Sequence, residues 1–415
     1  MLLNPFEDFN RRFVSQLRRE VEEWQQDGTI SAEQGQAILA RYPADSVGYE
    51  AARRSQGLVV GLSILGAVLV GLGIITFFAA NWDEIARSVK LGALIAGVVL
   101  SYGAGFFLWQ RLGYTAVGIA LVLLGCIIYG AGVHLIGQIY HVPVDHPNLT
   151  AFWFLGVLPL AYVTRSKPVM FLSIVLFLVA AGFRLPHWLR DVYDADAVIL
   201  ASVMYLALAA LIYAIGKAKS LFDGWEPIGG LFRAIGLVVG FGALYLLTFH
   251  DLIDEAGRID GVDYRYWSLT YAASVIAVVT MAGLEWWRVR RGATSVVEPF
   301  EIATVVLLLT ASHVLVRVPV GWEPLYPIVL NALFAVTALG LMVSGYLQGR
   351  EGRINLALAL IALFVISRYF EYSTTLFDRS LVIVGAGVIL LAGGFLLERG
   401  RRRMLAAMRP GESAE

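Results

Sequence analysis

GYTAVGIALVLLGCIIYGAGVHLIGQ, residues 113–138, runs for 26 positions without a charged side chain. As a helix rising ~1.5 Å per residue it reaches about 39 Å, more than the ~30 Å of hydrocarbon in a bilayer. Comparable stretches recur from Gly57 to Leu397. Reading outward, spans fall near 57–79, 89–109, 113–138, 149–164, 168–183, 196–215, 229–249, 266–287, 300–316, 325–346, 354–370 and 380–397. The pattern predicts an all-α polytopic transmembrane helical bundle of about 12 spans. The short stretches 149–164 and 168–183, joined only by Arg165-Ser166-Lys167, leave ten to twelve crossings open.

Composition supports lipid as the solvent: 58% of residues are apolar and 15% charged, with mean hydropathy +0.70, whereas soluble domains carry nearer a quarter charged. Pro159 alone among the prolines falls well inside a span. Pro143, Pro147, Pro168, Pro186 and Pro227 lie in connections or at helix starts, where a missing N–H does least harm. Trp82, Trp109, Trp153, Trp267, Trp286 and Trp287 mark span ends, as an interfacial belt requires.

Sidedness follows from Lys and Arg. With the N-terminus inside, 23 of the 32 basic residues fall on the N-tail, even-numbered connections and C-tail, and 9 on the alternate connections. That bias predicts a multi-pass protein of the bacterial inner (cytoplasmic) membrane, both termini cytoplasmic. No cleavable signal is expected before the first span. Cys126, the one cysteine, excludes an intramolecular disulfide. Zero net charge argues against nucleic acid as a partner.

Ahead of the membrane unit (57–397) stands a polar segment, 1–50, and after it a basic cytosolic tail, 398–415. Phe6, Phe9, Phe13, Leu17, Val21 and Trp24 recur at three- and four-residue steps, describing an amphipathic helix. Gly28 suits its C-cap. Ser31 and Gln34 read as a capping box opening a second helix, Ala32 to Tyr42, so 1–50 is expected to be a cytosolic helical hairpin. The stripe Phe6, Phe9, Phe13, Leu17 and Trp24 exceeds what two short helices bury alone. It packs on the bilayer surface, or it docks a cytosolic protein or a second copy.

Three stretches, Trp24-Gln25-Gln26-Asp27-Gly28-Thr29-Ile30-Ser31-Ala32-Glu33-Gln34, Phe77-Phe78-Ala79-Ala80-Asn81-Trp82 and Gly137-Gln138-Ile139-Tyr140-His141, resemble the bacterial membrane-protein family called domain of unknown function 2157. Arg368-Tyr369-Phe370 with Asp378-Arg379-Ser380-Leu381 is similar to the C-terminal part of related bacterial membrane proteins. The resemblance implies an inner-membrane protein with a cytosolic N-terminal hairpin. It transfers no catalytic residue.

All six histidines lie at span ends or connections expected to face outward. His134, Gln138 and His141, spaced by four and three, share a helix face, which Gly130 extends inward as a gap for a neighbouring helix. His313 with Arg317, and Arg368 with Glu371, are likewise a turn apart. With Arg184, Asp145 and Asp251 these residues outline an outward-facing polar pocket for an anionic or polar ligand; the plainer reading is interfacial side chains satisfied by water and headgroups. No metal-ligand spacing is recognised, and no cofactor is expected. Asp83 and Glu84 raise the alternative of a membrane-embedded transferase acting on a lipid-linked substrate, in a connection short for that purpose. No Asp, Glu, Lys or Arg stands near a span centre, where Tyr102, Tyr129, Tyr205, Ser274 and Thr310 are the polar groups. A coupled small-solute transporter normally needs an ionisable midplane site, so transport is the weaker alternative to a non-enzymatic binding or scaffold protein. Gly57, Gly61, Gly66, Gly71 and Gly73 suggest a small-residue ridge for close helix packing in the first span.

Overall fold

The computed structural model describes residues 29–40, 46–80, 86–143, 146–189, 194–249, 262–292, 297–315 and 325–372, with a few single positions near the N-terminus and Val384. Among them the chain is helical throughout: α1 (Ala32–Ala40), α2 (Ser46–Ala80), α3 (Arg87–Gln110), α4 (Thr115–Ile139), α5 (Pro147–Thr164), α6 (Lys167–Trp188), α7 (Asp194–Lys219), α8 (Glu226–Leu246), α9 (Tyr264–Arg290), α10 (Val297–Leu315), α11 (Leu325–Leu347) and α12 (Glu351–Tyr372).

Eight of these, α3 to α9 and α11, are long and apolar enough to cross a membrane. The stretches 149–164 and 168–183 are therefore two separate helices of crossing length, α5 and α6. The remaining expected spans fall short for identifiable reasons. The described apolar parts of α2 and α10 are only Leu58–Ile74 and Pro299–Val314. Helix α12 carries Glu351, Arg353, Arg368 and Glu371, and 380–397 lies outside the described residues apart from Val384.

Apolar side chains point outward as well as inward. On α3, Val89, Ile95, Val99, Leu100 and Phe107 are 55–69% exposed. So much apolar surface on one helix requires lipid against it.

Two compact units emerge, one of Met1–Arg190, Ile212–Gly236 and Val262–Leu269, the other of Asp191–Leu211, Leu237–Gly261 and Thr270–Glu415. In the first, α4 is the central helix, packed against α2, α3, α5 and α6. One of its faces joins Val122, Leu123 and Cys126 to Val157, Ala161, Met170 and Ile174, and another joins Leu124 and Ile128 to Ala67 and Leu94. Glycines set how close its neighbours come. A Cβ on Gly118 would stand 2.7 Å from the carbonyl oxygen of Gly105 on α3. Gly130 does admit a neighbouring helix, because the indole of Trp153 on α5 lies against it while its Nε1–H donates to the Cys126 carbonyl at 2.9 Å. The α2 ridge behaves otherwise. Gly71 meets Ile127, but Gly61, Gly66 and Gly73 have no atom within 4 Å of a Cβ position. Those three pack against no described neighbour, in contrast to the ridge expectation.

In the second unit an aromatic column joins α8, α11 and α12: Phe334 stacks on Phe364 at 4.8 Å and meets Phe241 edge-on at 5.9 Å. Arg353 and Glu301 form a largely buried ion pair at 2.9 Å, with side chains 10% and 13% exposed. Arg353 also donates to Ser344 at 3.4 Å. All three residues lie near helix ends.

At the N-terminus the capping box forms as read. Ser31 N–H donates to Gln34 Oε1 at 2.9 Å and Gln34 N–H to Ser31 Oγ at 3.2 Å. Leu17, Val21 and Trp24 are helical, with Val21 fully buried and Trp24 at the surface. Phe6, Phe9, Phe13 and Gly28 lie outside the described residues.

Candidate functional site

The expected pocket residues fall into both units. In the first, His134 is half-buried on α4. Its Nδ1 lies 3.0 Å from the Gly130 carbonyl oxygen, and its ring stands edge-on to Trp153 at 5.7 Å. Gln138 is exposed one turn further on. His141 then ends the helix with φ +59°. Its N–H donates to the Gln138 carbonyl at 3.1 Å and the Val142 N–H to the Gly137 carbonyl at 2.8 Å. This pairing is a Schellman motif with His141 in the left-handed position usually given to glycine. Gly349 fills the equivalent place after α11, at φ +62°.

The connection from α4 to α5 continues to His146, whose Nδ1 accepts from the Asn148 N–H at 3.2 Å and so caps α5. With Nδ1 accepting, a neutral His146 carries its proton on Nε2. The ring of His187, from the last turn of α6, approaches edge-on at 6.0 Å. One turn earlier on α6, Arg184 donates to Asn148 Oδ1 at 2.8 Å. Asp263, N-cap of α9 through its bond to the Arg265 N–H, reaches the same end of α6 by donating its own N–H to the Trp188 carbonyl at 2.8 Å. His141, His146, Asn148, Arg184 and His187 thus belong to one end of the first unit. Asn148 is the member sequence reasoning passed over. The signal available for it was its place just after Pro147 at a helix start.

In the second unit, His313 is buried, with Nδ1 2.7 Å from the Leu309 carbonyl oxygen and its ring 4.5 Å from that of Tyr271. Arg368 donates to the Thr248 carbonyl at 2.7 Å, which also accepts from Asn331 at 2.9 Å, and its guanidinium lies 4.4 Å from the Phe249 ring centroid. Arg368 therefore serves the carbonyl end of α8, where a cation opposes the helix dipole. Glu371 belongs to α12 but its side chain is outside the described residues, as are Arg317, Asp83, Glu84, Asp145 and Asp251.

Several of the polar groups expected near span centres are engaged locally. Tyr129 OH donates to the Phe152 carbonyl at 3.3 Å and Ser274 Oγ to the Thr270 carbonyl at 2.8 Å, while Tyr102 OH lies 3.7 Å from Cys126 Sγ. Among the described residues no three His, Cys, Asp or Glu side chains gather as a metal group would.

Residues 22–170 match the family described as "Predicted membrane protein (DUF2157)". The resemblance read from the hairpin, the end of the first span and Gly137 to His141 is thereby established for this part of the chain. The DUF2157 match takes in α1 to α5 and the first residues of α6, hence His134, Gln138, His141, His146 and Asn148. Arg184, His187 and the second unit lie beyond it, as does the likeness noted around Arg368. No curated protein and no solved structure matches the chain. With its apolar helices, the match makes this a membrane protein with several membrane-spanning helices.

Proposed function

We propose that this is a non-enzymatic binding protein of the bacterial inner membrane, with about twelve spans and cytoplasmic termini, that holds a small anionic ligand at the outward end of its first unit. The observation that supports it best is the cluster around Asn148, where Arg184 is fixed at 2.8 Å beside the His146–His187 ring pair. A fixed guanidinium with imidazole N–H groups nearby is a donor-rich set of the kind that takes carboxylate or phosphate. His141 adds to the reading, since a non-glycine residue in a left-handed position costs stability and such costs concentrate at functional places. His134 and Gln138 supply further polar groups on the approach from α4.

The test is the melting temperature of full-length protein in neutral detergent, titrated with inorganic phosphate, succinate and choline. A rise with the anions alone, removed by Arg184→Gln and by His146→Ala with His187→Ala, carries the reading. Equal shifts in wild type and variants, or no response to either anion, reject it. Reporter fusions in the 139–148 connection test its outward placement. The hairpin stripe, Phe6, Phe9, Phe13, Leu17 and Trp24, is proposed to dock a cytosolic partner or a second copy. Deleting residues 1–50 and comparing assembly size and co-purified proteins tests that role.

A further inference from the structure

Helix α5 is 18 residues long, so its two ends lie about 27 Å apart, close to the thickness of the hydrocarbon layer. His146 caps one end, and Arg165 follows the other, on the side that the count of basic residues assigns to the cytoplasm. There Lys219, the last residue of α7, carries its ammonium among aromatic rings. Nζ donates to the Tyr162 hydroxyl at 3.0 Å, stands 4.3 Å from the ring centroids of Tyr162 and Trp225, and lies 5.3 Å from that of Phe232. The guanidinium of Arg165 lies over the same Trp225 at 4.9 Å.

Two cations therefore share one neutral indole. Among the described residues neither forms an ion pair with a carboxylate; Asp223, on the connection after α7, and Glu226, the first residue of α8, are exposed and bond to neither. Cation–π attraction offsets part of the mutual repulsion but neutralises no charge. An anion between them converts that repulsion into charge-assisted hydrogen bonds. Arg165 takes up this position at φ +46°, left-handed backbone that glycine or asparagine adopts more readily after a helix. The connection also presents Leu221 and Phe222, 40% and 65% exposed, next in sequence to the charged cluster. A ligand with one anionic phosphate and long apolar tails satisfies both features, which a free anion does not.

We infer that Arg165 and Lys219, framed by Trp225 and Tyr162, bind the phosphate headgroup of an anionic phospholipid whose acyl chains run along Leu221 and Phe222. The site stands apart from the proposed anion site at the opposite end of α5, and either can fail without the other.

The experiment uses full-length protein in neutral detergent, with bound lipid measured by native mass spectrometry during titration with phosphatidylglycerol or phosphatidylcholine, and melting temperature measured with the same lipids and with inorganic phosphate. Phosphatidylglycerol is expected to bind and stabilise and phosphatidylcholine to do neither, while the rise with inorganic phosphate proposed for the site around Asn148 is expected to be unchanged by substitutions at Arg165 and Lys219. The double variant Arg165→Gln with Lys219→Gln is expected to bind phosphatidylglycerol roughly thirtyfold more weakly, the loss of two headgroup cations. Lys219→Arg keeps the cation and is expected to keep binding. Equal binding of both lipids, unchanged phosphatidylglycerol binding by the double variant, or a rise with inorganic phosphate that the double variant abolishes overturns the assignment. Should the double variant fail to fold, Arg165→Asn, which suits the left-handed backbone and removes one cation, decides by the same comparison: weaker phosphatidylglycerol binding upholds the site and unchanged binding overturns it.

Discussion

Replacing Gly118 by alanine tests whether α3 and α4 touch through their backbones. A Cβ there would stand 2.7 Å from the Gly105 carbonyl oxygen and 2.8 Å from the Trp109 nitrogen, whereas ordinary contact begins at 3.4 Å. Neither atom belongs to a side chain that can rotate away, so the helices must part by roughly 0.7 Å, an overpacking that costs on the order of 1–3 kcal/mol. The better helix propensity of alanine returns up to ~1 kcal/mol, leaving a net loss on the order of 1–2 kcal/mol. Gly103, on the same helix as Gly105, has nothing within 4 Å of its Cβ position and supplies the control, because Gly103→Ala gains the propensity without the clash. Melting temperature in detergent, followed by intrinsic fluorescence, is expected to fall by several degrees for Gly118→Ala and for Gly105→Ala. Gly103→Ala is expected to match or exceed wild type. Equal melting temperatures for Gly118→Ala and Gly103→Ala would refute the backbone contact.

Trp153→Ala removes an indole seated against Gly130 together with its hydrogen bond to the Cys126 carbonyl, and is expected to cost about 3–5 kcal/mol, read as a lower melting temperature, with Trp153→Phe losing less. Glu301→Gln alone leaves Arg353 without its carboxylate in a largely buried place and costs about 3–5 kcal/mol. Glu301→Leu with Arg353→Met is expected to cost less than either single change, and a double-mutant cycle that finds additivity argues against the pair. His141→Gly relaxes the left-handed turn after α4 and is expected to raise stability by about 1 kcal/mol while weakening phosphate binding; a lower melting temperature contradicts the turn assignment. Cys126 has no exposed surface, so the folded protein is expected to resist maleimide and the denatured protein to react fully, as mass spectrometry would record.

Where residues act through immediate neighbours in sequence, the reading and the fold agree. Ser31 and Gln34 make their capping box three residues apart, and the uncharged run 113–138 becomes α4. Pro147 and Pro168 stand at helix starts, because a helix tolerates a missing N–H only in its first turn. The glycines show where such reasoning ends. Gly61 and Gly118 look alike in sequence, yet one faces open space and the other a backbone. A missing side chain permits close approach without requiring it, so the partner helix decides. Histidine spacing carried less far: steps of four and three predict one helical face for His134, Gln138 and His141, but α4 ends at Ile139 and His141 takes the αL turn beyond it, a backbone role that the spacing did not reveal.

By itself the sequence determined the solvent and the helical class, since long uncharged apolar segments satisfy their backbone in lipid only as helices. It also marked polar and charged residues toward span ends, because charge is costly at the bilayer centre. Only tertiary structure decided which of those ends share neighbours. Lys219 meets Tyr162 across 57 residues, and Arg353 meets Glu301 across 52. Such pairings follow from helix order and glycine-set spacing in three dimensions, and no local period in the chain encodes them.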